Sequence, residues 1–451
     1  MQFLQHLLAF LFALGILITF HEFGHFWVAR KCGVKILRFS IGFGRPLWQR
    51  CIGSDRTELV VAALPLGGYV KMLDEREAPV PETELHRAFN RKPLAQRCAI
   101  VLAGPVFNFL FAILAYWVMY MIGLTGLKPI IGVVQPASIA ASAGLKPDEE
   151  IIAVNSRRTA TWTMVVDAMI TSIVADKPVA FRLQSGETRE RSVLLNLQGM
   201  TIDDLAEKDL LASIGITPRQ CVLPAVVGEL TTGGAAVRAG LQGGDRILTV
   251  NDTRISDWAA FVEYIRAHPD QMLQIEISRA GKVILVPLRP DKKDAGDGKI
   301  IGFIGAGNQL AQNLLASESY TFFPALARAL ERTWDMSCLT LQMLGKILTG
   351  EASYRNLSGP VSIAQYAGES AKNGIAAFLW FLGVVSVSLG VLNLLPVPLL
   401  DGGHLMYYLI ELVRGSPVSE AAQAIGQQIG LALLLGLMVL VFYNDLLRLL
   451  G

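Results

Sequence analysis

The sequence predicts a polytopic α-helical membrane protein: four transmembrane helices, a membrane-associated β-hairpin on one side and two small tandem α+β domains on the other. Three observations carry this. The chain has 451 residues, 52% hydrophobic and only 17% charged, with a mean hydropathy of +0.43, which is membrane-protein composition. Several apolar stretches are long enough to cross a hydrocarbon layer of about 30 Å. A long polar region between the second and third of them contains an internal repeat.

The stretches 3–28 and 98–122, and 431–442 with its flanks, are the clearest spans, and 378–400 is a more interrupted one. With their flanks they give transmembrane helices at 1–29, 98–123, 376–410 and 425–450. No Lys or Arg precedes the first span, it is too long for the apolar part of a signal peptide, and no small-x-small site follows it. It is expected to remain as a helix. Arg30, Lys31, Lys35 and Arg38 follow the first span, and Arg91, Lys92 and Arg97 lead into the second. The positive-inside bias therefore puts 30–97 in the cytoplasm, with both chain ends and the long central region outside.

Within the 30–97 loop, "RTELVVAALPLGGYVKM" alternates weakly, breaks at Pro65 to Gly68 and resumes. It reads as an unusually apolar β-hairpin, either an ordinary surface hairpin or one that dips toward the membrane and offers a strand edge. In the outer region, "SAGLKPDEEIIAVNSRRTATW" from Ser142 aligns with "RAGLQGGDRILTVNDTRISDW" from Arg238, at an offset of 96 residues. Each copy ends on a similar strand, "SIGITP" and "IGFIGA". Two homologous domains, 127–220 and 221–309, follow from this. In the first copy Asp148-Glu149 stands where the second has Gly244-Asp245, which puts the tight glycine turn in question there. "PDKKDAGDGK" reads as a solvated loop. The region 316–375 is apolar on a helical period but carries Arg328, Glu331, Arg332 and Asp335, so an amphipathic helix on the outer surface is expected.

The net charge of +2 and the absence of a basic run give no reason to expect nucleic acid. Five widely spaced cysteines, Cys32, Cys51, Cys98, Cys221 and Cys338, never form a C-x-x-C pair. Any metal must then be held by His and carboxylate.

"HEFGH", residues 21–25, closes the first span. An ionisable side chain at the middle of a membrane helix costs roughly 2.5–3.5 kcal/mol, so such residues usually serve a site. His21 and His25 lie one helical turn apart on one face, the separation two imidazoles need to ligate one Zn²⁺. Glu22 is adjacent and can take a proton from an activated water, the H-E-x-x-H arrangement of zinc peptidases. One protein ligand is missing, and "NLLPVPLLDGGH", residues 393–404, is the best source. Its prolines and glycines should break the helix, and irregular backbone at membrane depth survives only where it lines a polar site. Asp401 is the favoured ligand. Glu411, on the hydrophilic exit of that helix, is a poorer candidate, and His404 is an alternative ligand for which a structural or ligand-orienting role is favoured.

The A-G-L, G-D-x-I and V-N order of the outer repeats resembles PDZ domains, which bind extended segments at a sheet edge. H-E-F-G-H in the first span, N-x-x-P-x-P-x-L-D-G near the end of the third, "LPLGGYVKM" in the loop, "NLSGPVSIA" at Asn356 and two PDZ-like domains between spans two and three resemble the bacterial site-2 intramembrane zinc metalloproteases. The closest likeness is to their regulator-of-sigma-E type, over essentially the whole chain. The resemblance implies that His21, His25 and Asp401 bind Zn²⁺, Glu22 is the general base, and Asn393 lies near the substrate carbonyl. It implies a substrate-binding role for Gly67, Gly68 and Tyr69 in a membrane re-entrant hairpin, and for Pro396 and Pro398. The substrates would be transmembrane helices, such as that of an anti-sigma factor already trimmed outside, and remnant signal peptides. The setting would be the bacterial inner membrane and its lipid, with the PDZ-like domains in the periplasm and an output in the envelope stress response. The alternative is a membrane-anchored PDZ adaptor without catalytic activity. A polar transport path is a weaker third option.

Overall fold

The computed structural model describes residues 2–186, 189–197, 200, 209–219, 223–294, 300–308 and 315–450. Cys221, residues 295–299 of the expected charged loop and both expected ends of the second repeat domain lie outside these residues, while Asp291–Asp294 of that loop forms a strand paired with Ile300–Phe303. Among the described residues four helices are long and apolar enough to cross a membrane: Leu4–Lys31, Leu94–Ile122, Ile375–Asn393 and Glu420–Arg448. They belong to α1 (Gln2–Lys31), α2 (Leu94–Ile122), α7 (Ile375–Asn393) and α9 (Glu420–Leu450). Half of the apolar window of α2 is buried, against 17%, 39% and 11% in the other three. Helix α2 is therefore the centre of the bundle, with α1 and α7 packed on it and lipid-facing leucines on the outer helices. Gly24 of α1 lets the helices approach closely, since a Cβ there would lie 2.4 Å from the carbonyl oxygen of Ala103.

The third expected span, 376–410, is divided. Helix α7 ends at Asn393, a turn through Pro396 and Pro398 follows, and α8 (Asp401–Arg414) starts on Asp401 itself. Leu399 has φ of 89°, left-handed backbone that a leucine adopts at a cost of about 1–3 kcal/mol. Prolines supply the break because they cannot donate to the helix ladder.

The expected hairpin has its turn elsewhere. β1 (Ile36–Ile52) and β2 (Thr57–Met72) are joined at 53–56, and β2 continues through Pro65 to Gly68. Each long strand bends instead of ending. Ser40 pairs with both Val60 and Tyr69, and Ile41 with both Val61 and Gly68, so the first half of β1 lies between the two halves of β2. The segment 68–72 thus becomes one edge of a folded-over sheet. The left-handed glycines Gly42 and Gly44 permit the bend in β1.

The outer repeat folds twice in one way. Each copy is a four-stranded sheet: 157–158, 150–154, 179–185 and 189–195 in the first, and 253–254, 246–250, 273–279 and 282–288 in the second. One helix lies on each sheet, α3 (Trp162–Val174) capped by Thr161 and α4 (Trp258–Ala267) capped by Asp257. Each copy has its own buried apolar core, around Phe181 and Ile151 and around Phe261 and Ile275. The turn in question forms in both copies. Asp148 takes φ of 67° where Gly244 takes 94°, because aspartate tolerates left-handed backbone better than most residues. Glu149 then repeats what Asp245 does: Arg191 donates to Glu149 and to the Gly144 carbonyl, as Arg279 donates to Asp245 and the Gly240 carbonyl.

Between these domains and α7 runs the amphipathic α5 (Phe322–Thr349), followed by α6 (Pro360–Lys372). Arg332 of α5, 4% exposed, donates through both Nη atoms to Asp167 of α3, which ties the first outer domain to α5. The "GPVS" start of α6 is held by Asp445 of α9. Its carboxylate accepts from the Gly359, Val361 and Ser362 amides and from the Ser362 hydroxyl. A carboxylate at a helix N-terminus satisfies orphan donors and complements the helix dipole. The Asn356 side chain lies outside the described residues.

Candidate metal centre

His21 and His25 stand on the inner face of α1 and Asp401 on the first turn of α8. Their donor atoms converge. The two Nε2 atoms are 3.3 Å apart, and Asp401 Oδ2 lies 3.3 Å from His21 Nε2 and 3.5 Å from His25 Nε2. A tetrahedral ion with bonds of about 2.0–2.1 Å separates its donors by roughly 3.3–3.4 Å, so the triangle has the size Zn²⁺ requires. Asp401 Oδ2 is buried without a hydrogen-bond partner among the described residues. These three residues are the group of metal-capable side chains found among the described residues.

Helix α2 shapes the other wall. His25 is 7% exposed, and its Nδ1 lies 2.8 Å from the main-chain carbonyl oxygen of Ile100. A carbonyl only accepts, so Nδ1 must carry the proton and Nε2 must present its lone pair toward Asp401 and His21. Gly104 lies one turn further along. A Cβ there would sit 2.3 Å from His25 Nε2 and 2.7 Å from His21 Cε1, so the imidazoles occupy space that only glycine leaves open. Asn108, another turn on, brings its side-chain amide to 3.2 Å from His21 Nδ1. Orphaned Oδ2, matching donor spacing and this cradle fit a resident zinc ion. The sequence reading missed Gly104 and Asn108. Their four-residue spacing from Ile100 on a central helix was the available signal.

Other expected residues fall into two groups. Gly68 stands against α1, where a Cβ would lie 2.8 Å from Ile18 Cγ2 and 2.9 Å from Glu22 Cγ. The sheet edge therefore reaches Glu22. Gly67 lies under the ring of Phe43, which stacks on Tyr69 at 6.2 Å, and Arg38 donates to the Tyr69 hydroxyl. Pro398 packs against α9, where a Cβ on Gly430 would be 2.1 Å from its carbonyl oxygen. Pro396 is exposed and Asn393, the last residue of α7, is half-buried. No hydrogen bond joins Asn393 to the His-His-Asp group among the described residues. His404 is outside the donor set and stands edge-on to Tyr407. Glu411 is bound bidentately by Arg97, with contacts of 2.6 and 3.1 Å, which removes it as a ligand.

An H-E-x-x-H helix completed by an aspartate, in a bundle of membrane-length helices, defines a membrane-embedded zinc peptidase. Comparison with known proteins agrees. The profile of Peptidase family M50 matches residues 9–437. The chain is 45% identical over 452 residues to the regulator of sigma-E protease RseP of Salmonella typhimurium, covering 99% of each. It is 44% identical over 454 residues to the protein of that name in Escherichia coli, covering 100% of each. A Vibrio cholerae relative named as a zinc metalloprotease is 42% identical over 451 residues, again covering 99% of each. The chain belongs to peptidase family M50. It is a zinc metalloprotease and a multi-pass membrane protein.

Proposed function

We propose that the chain is an intramembrane endopeptidase of the bacterial inner membrane that cuts within the transmembrane helix of a single-pass substrate already trimmed on its outer side. The substrate class would be an anti-sigma factor, with remnant signal peptides as a second, since the relatives carry the name regulator of sigma-E protease. The outer pair of domains would be PDZ-like modules in the periplasm. The adaptor reading loses ground to the family assignment and to the convergent donor set, which a membrane anchor does not need.

His21, His25 and Asp401 would hold the zinc ion, which when bound supplies the Lewis acidity that activates water near neutral pH and polarises the scissile carbonyl. Glu22, next to His21, takes the proton of the attacking water and later gives it to the leaving amine. Ile100 keeps His25 in the ligating tautomer. The substrate needs an extended segment, because a helix keeps its carbonyls hydrogen-bonded. The edge of β2 at Gly67, Gly68 and Tyr69 supplies free main-chain groups for strand addition. Asn393 is assigned to the neighbourhood of the substrate carbonyl, and the Pro396 to Pro398 turn to the wall of the substrate channel.

The observation that carries the proposal is the contact between Gly68 and Glu22, which sets the strand edge beside the base. The test is Glu22→Gln in the purified full-length protein. Zinc is expected to stay at about one ion per chain, while cleavage of a reporter transmembrane helix is lost. Wild-type cleavage by that variant would refute the assignment of Glu22.

A further inference from the structure

We infer that Asn108 is a positioning residue for the metal centre, holding His21 by accepting the Nδ1 proton on its side-chain oxygen. Five observations carry this. Asn108 is fully buried in the central helix. Its amide group lies 3.2 Å from His21 Nδ1. Its Oδ1 is buried and has no hydrogen-bond partner among the described residues. Its main-chain carbonyl accepts a 2.7 Å bond from the Ser386 hydroxyl of α7, itself fully buried. Finally, Ile100, Gly104 and Asn108 repeat every fourth residue along the face of α2 that meets His25 and His21.

The two imidazoles are controlled differently. His25 meets a carbonyl oxygen, which can only accept, and this dictates its tautomer. His21 meets an amide, which offers a donor on one side and an acceptor on the other. With Nδ2 toward Nδ1, the imidazole must accept at Nδ1 and carry its proton on Nε2. That nitrogen then has no lone pair for an ion, although it points into the donor triangle 3.3 Å from Asp401 Oδ2. Turning the amide by half a rotation about Cβ–Cγ exchanges O and N in nearly the same volume. Oδ1 then receives the Nδ1 proton and Nε2 is free to ligate. Residues that take the second ring proton of a metal-bound histidine orient the ring and raise its basicity, and their loss costs about 10–100-fold in metal affinity. Ser386 anchors the Asn108 main chain, so α7 braces this support from behind.

The inference rests on the assignment of His21 as a metal ligand, and one experiment separates the two. Full-length protein in detergent is loaded with zinc, equilibrated against a graded series of EDTA concentrations, and its zinc per chain is measured. Asn108→Leu keeps the volume and removes the acceptor, and is expected to release zinc at about 10–100-fold lower chelator activity. Asn108→Asp keeps both the shape and an acceptor and should hold zinc close to the wild-type curve, whereas a packing role alone would leave Asn108→Leu on that curve as well. Asn108→Ala is a second removal variant, in case leucine disturbs folding. Wild-type zinc retention by the removal variants overturns the role of Asn108, as does loss of zinc by Asn108→Asp equal to that of Asn108→Leu. Failure of the wild-type protein to hold any zinc overturns the metal assignment instead.

Discussion

Gly104→Ala should destroy the metal centre although residue 104 is neither a ligand nor titratable. The added Cβ would lie 2.3 Å from His25 Nε2, 2.6 Å from its Cε1 and 2.7 Å from His21 Cε1. Ordinary contact begins at 3.4 Å, so His25 Nε2 must retreat by roughly 1 Å. Metal-ligand bonds tolerate only about ±0.2 Å, and both imidazoles are pinned behind by Ile100 and Asn108. The helices cannot separate freely either, since Gly24 rests against the Ala103 carbonyl one residue away. A misplacement of about 1 Å commonly costs about 100-fold in rate, equal to about 2.7 kcal/mol, and displacement of a ligand nitrogen should cost at least this. The assay pairs zinc per chain by mass spectrometry with cleavage of a reporter transmembrane helix, and both should fall together. Gly15→Ala is the control, because a Cβ there has nothing within 4 Å and helix propensity favours alanine. A Gly104→Ala protein with wild-type zinc and wild-type cleavage would refute the assignment of this wall of the cradle.

Three further outcomes follow, one from the strand edge and two from the Asp245–Arg279 pair. Gly68→Val drives a side chain against Ile18, Glu22 and the Ser40 carbonyl, and should lower cleavage by about 10-fold or more while zinc per chain stays unchanged. Loss of zinc in that variant would mean that the strand edge supports the metal site and not the substrate. In the second outer domain, burial pushes the Asp245 carboxyl up, but hydrogen bonds from Arg279 and the Gln242 amide outweigh it and hold the group below its usual range. A carboxylate depressed in the folded state stabilises above its unfolded pKa of about 3.9, and that contribution is lost as pH falls through the folded value. Protection of residues 246–288 against pepsin should therefore weaken as pH drops below about 4. Arg279→Met leaves a carboxylate 1% exposed without its partner, costing about 1.5–3 kcal/mol. Its protection should already be weaker at pH 5, and equal protection of the two proteins there would count against the ion pair.

Much of this architecture was legible in the sequence for a physical reason. A membrane span announces itself by length and apolarity alone, so four membrane-length helices were anticipated, with ends shifted by a few residues except in the third, which stops at Asn393 and not at 410. The 96-residue offset is a periodic signal, and the two four-stranded sheets have the same strand order, 150–154 and 157–158 recurring at that offset as 246–250 and 253–254. The histidine pair was legible because an i, i+4 spacing fixes a shared helix face before any tertiary contact forms. Asp401 was legible because prolines and glycines at membrane depth need a polar site to justify them. The turn of the hairpin was not. "LPLGG" carries the usual breaking residues, yet long-range pairing with β1 carries the strand through them, and local turn propensity is overridden by a partner about 30 residues away.

Sequence alone determined what each helix could contribute: a face with two imidazoles and a carboxylate, a broken helix bearing an aspartate, and an apolar strand with two glycines. Only the tertiary structure decided which atoms meet. The 3.3 to 3.5 Å triangle of His21, His25 and Asp401 joins residues almost 400 positions apart. The Glu411 carboxylate was removed from the competition by Arg97, 314 positions away. Ile100, Gly104 and Asn108 acquired their parts because α2 happens to turn that face toward α1. Spacing along a chain sets directions within one helix. Distances between helices are set by which small residues let two backbones approach, and that is decided only when the helices pack.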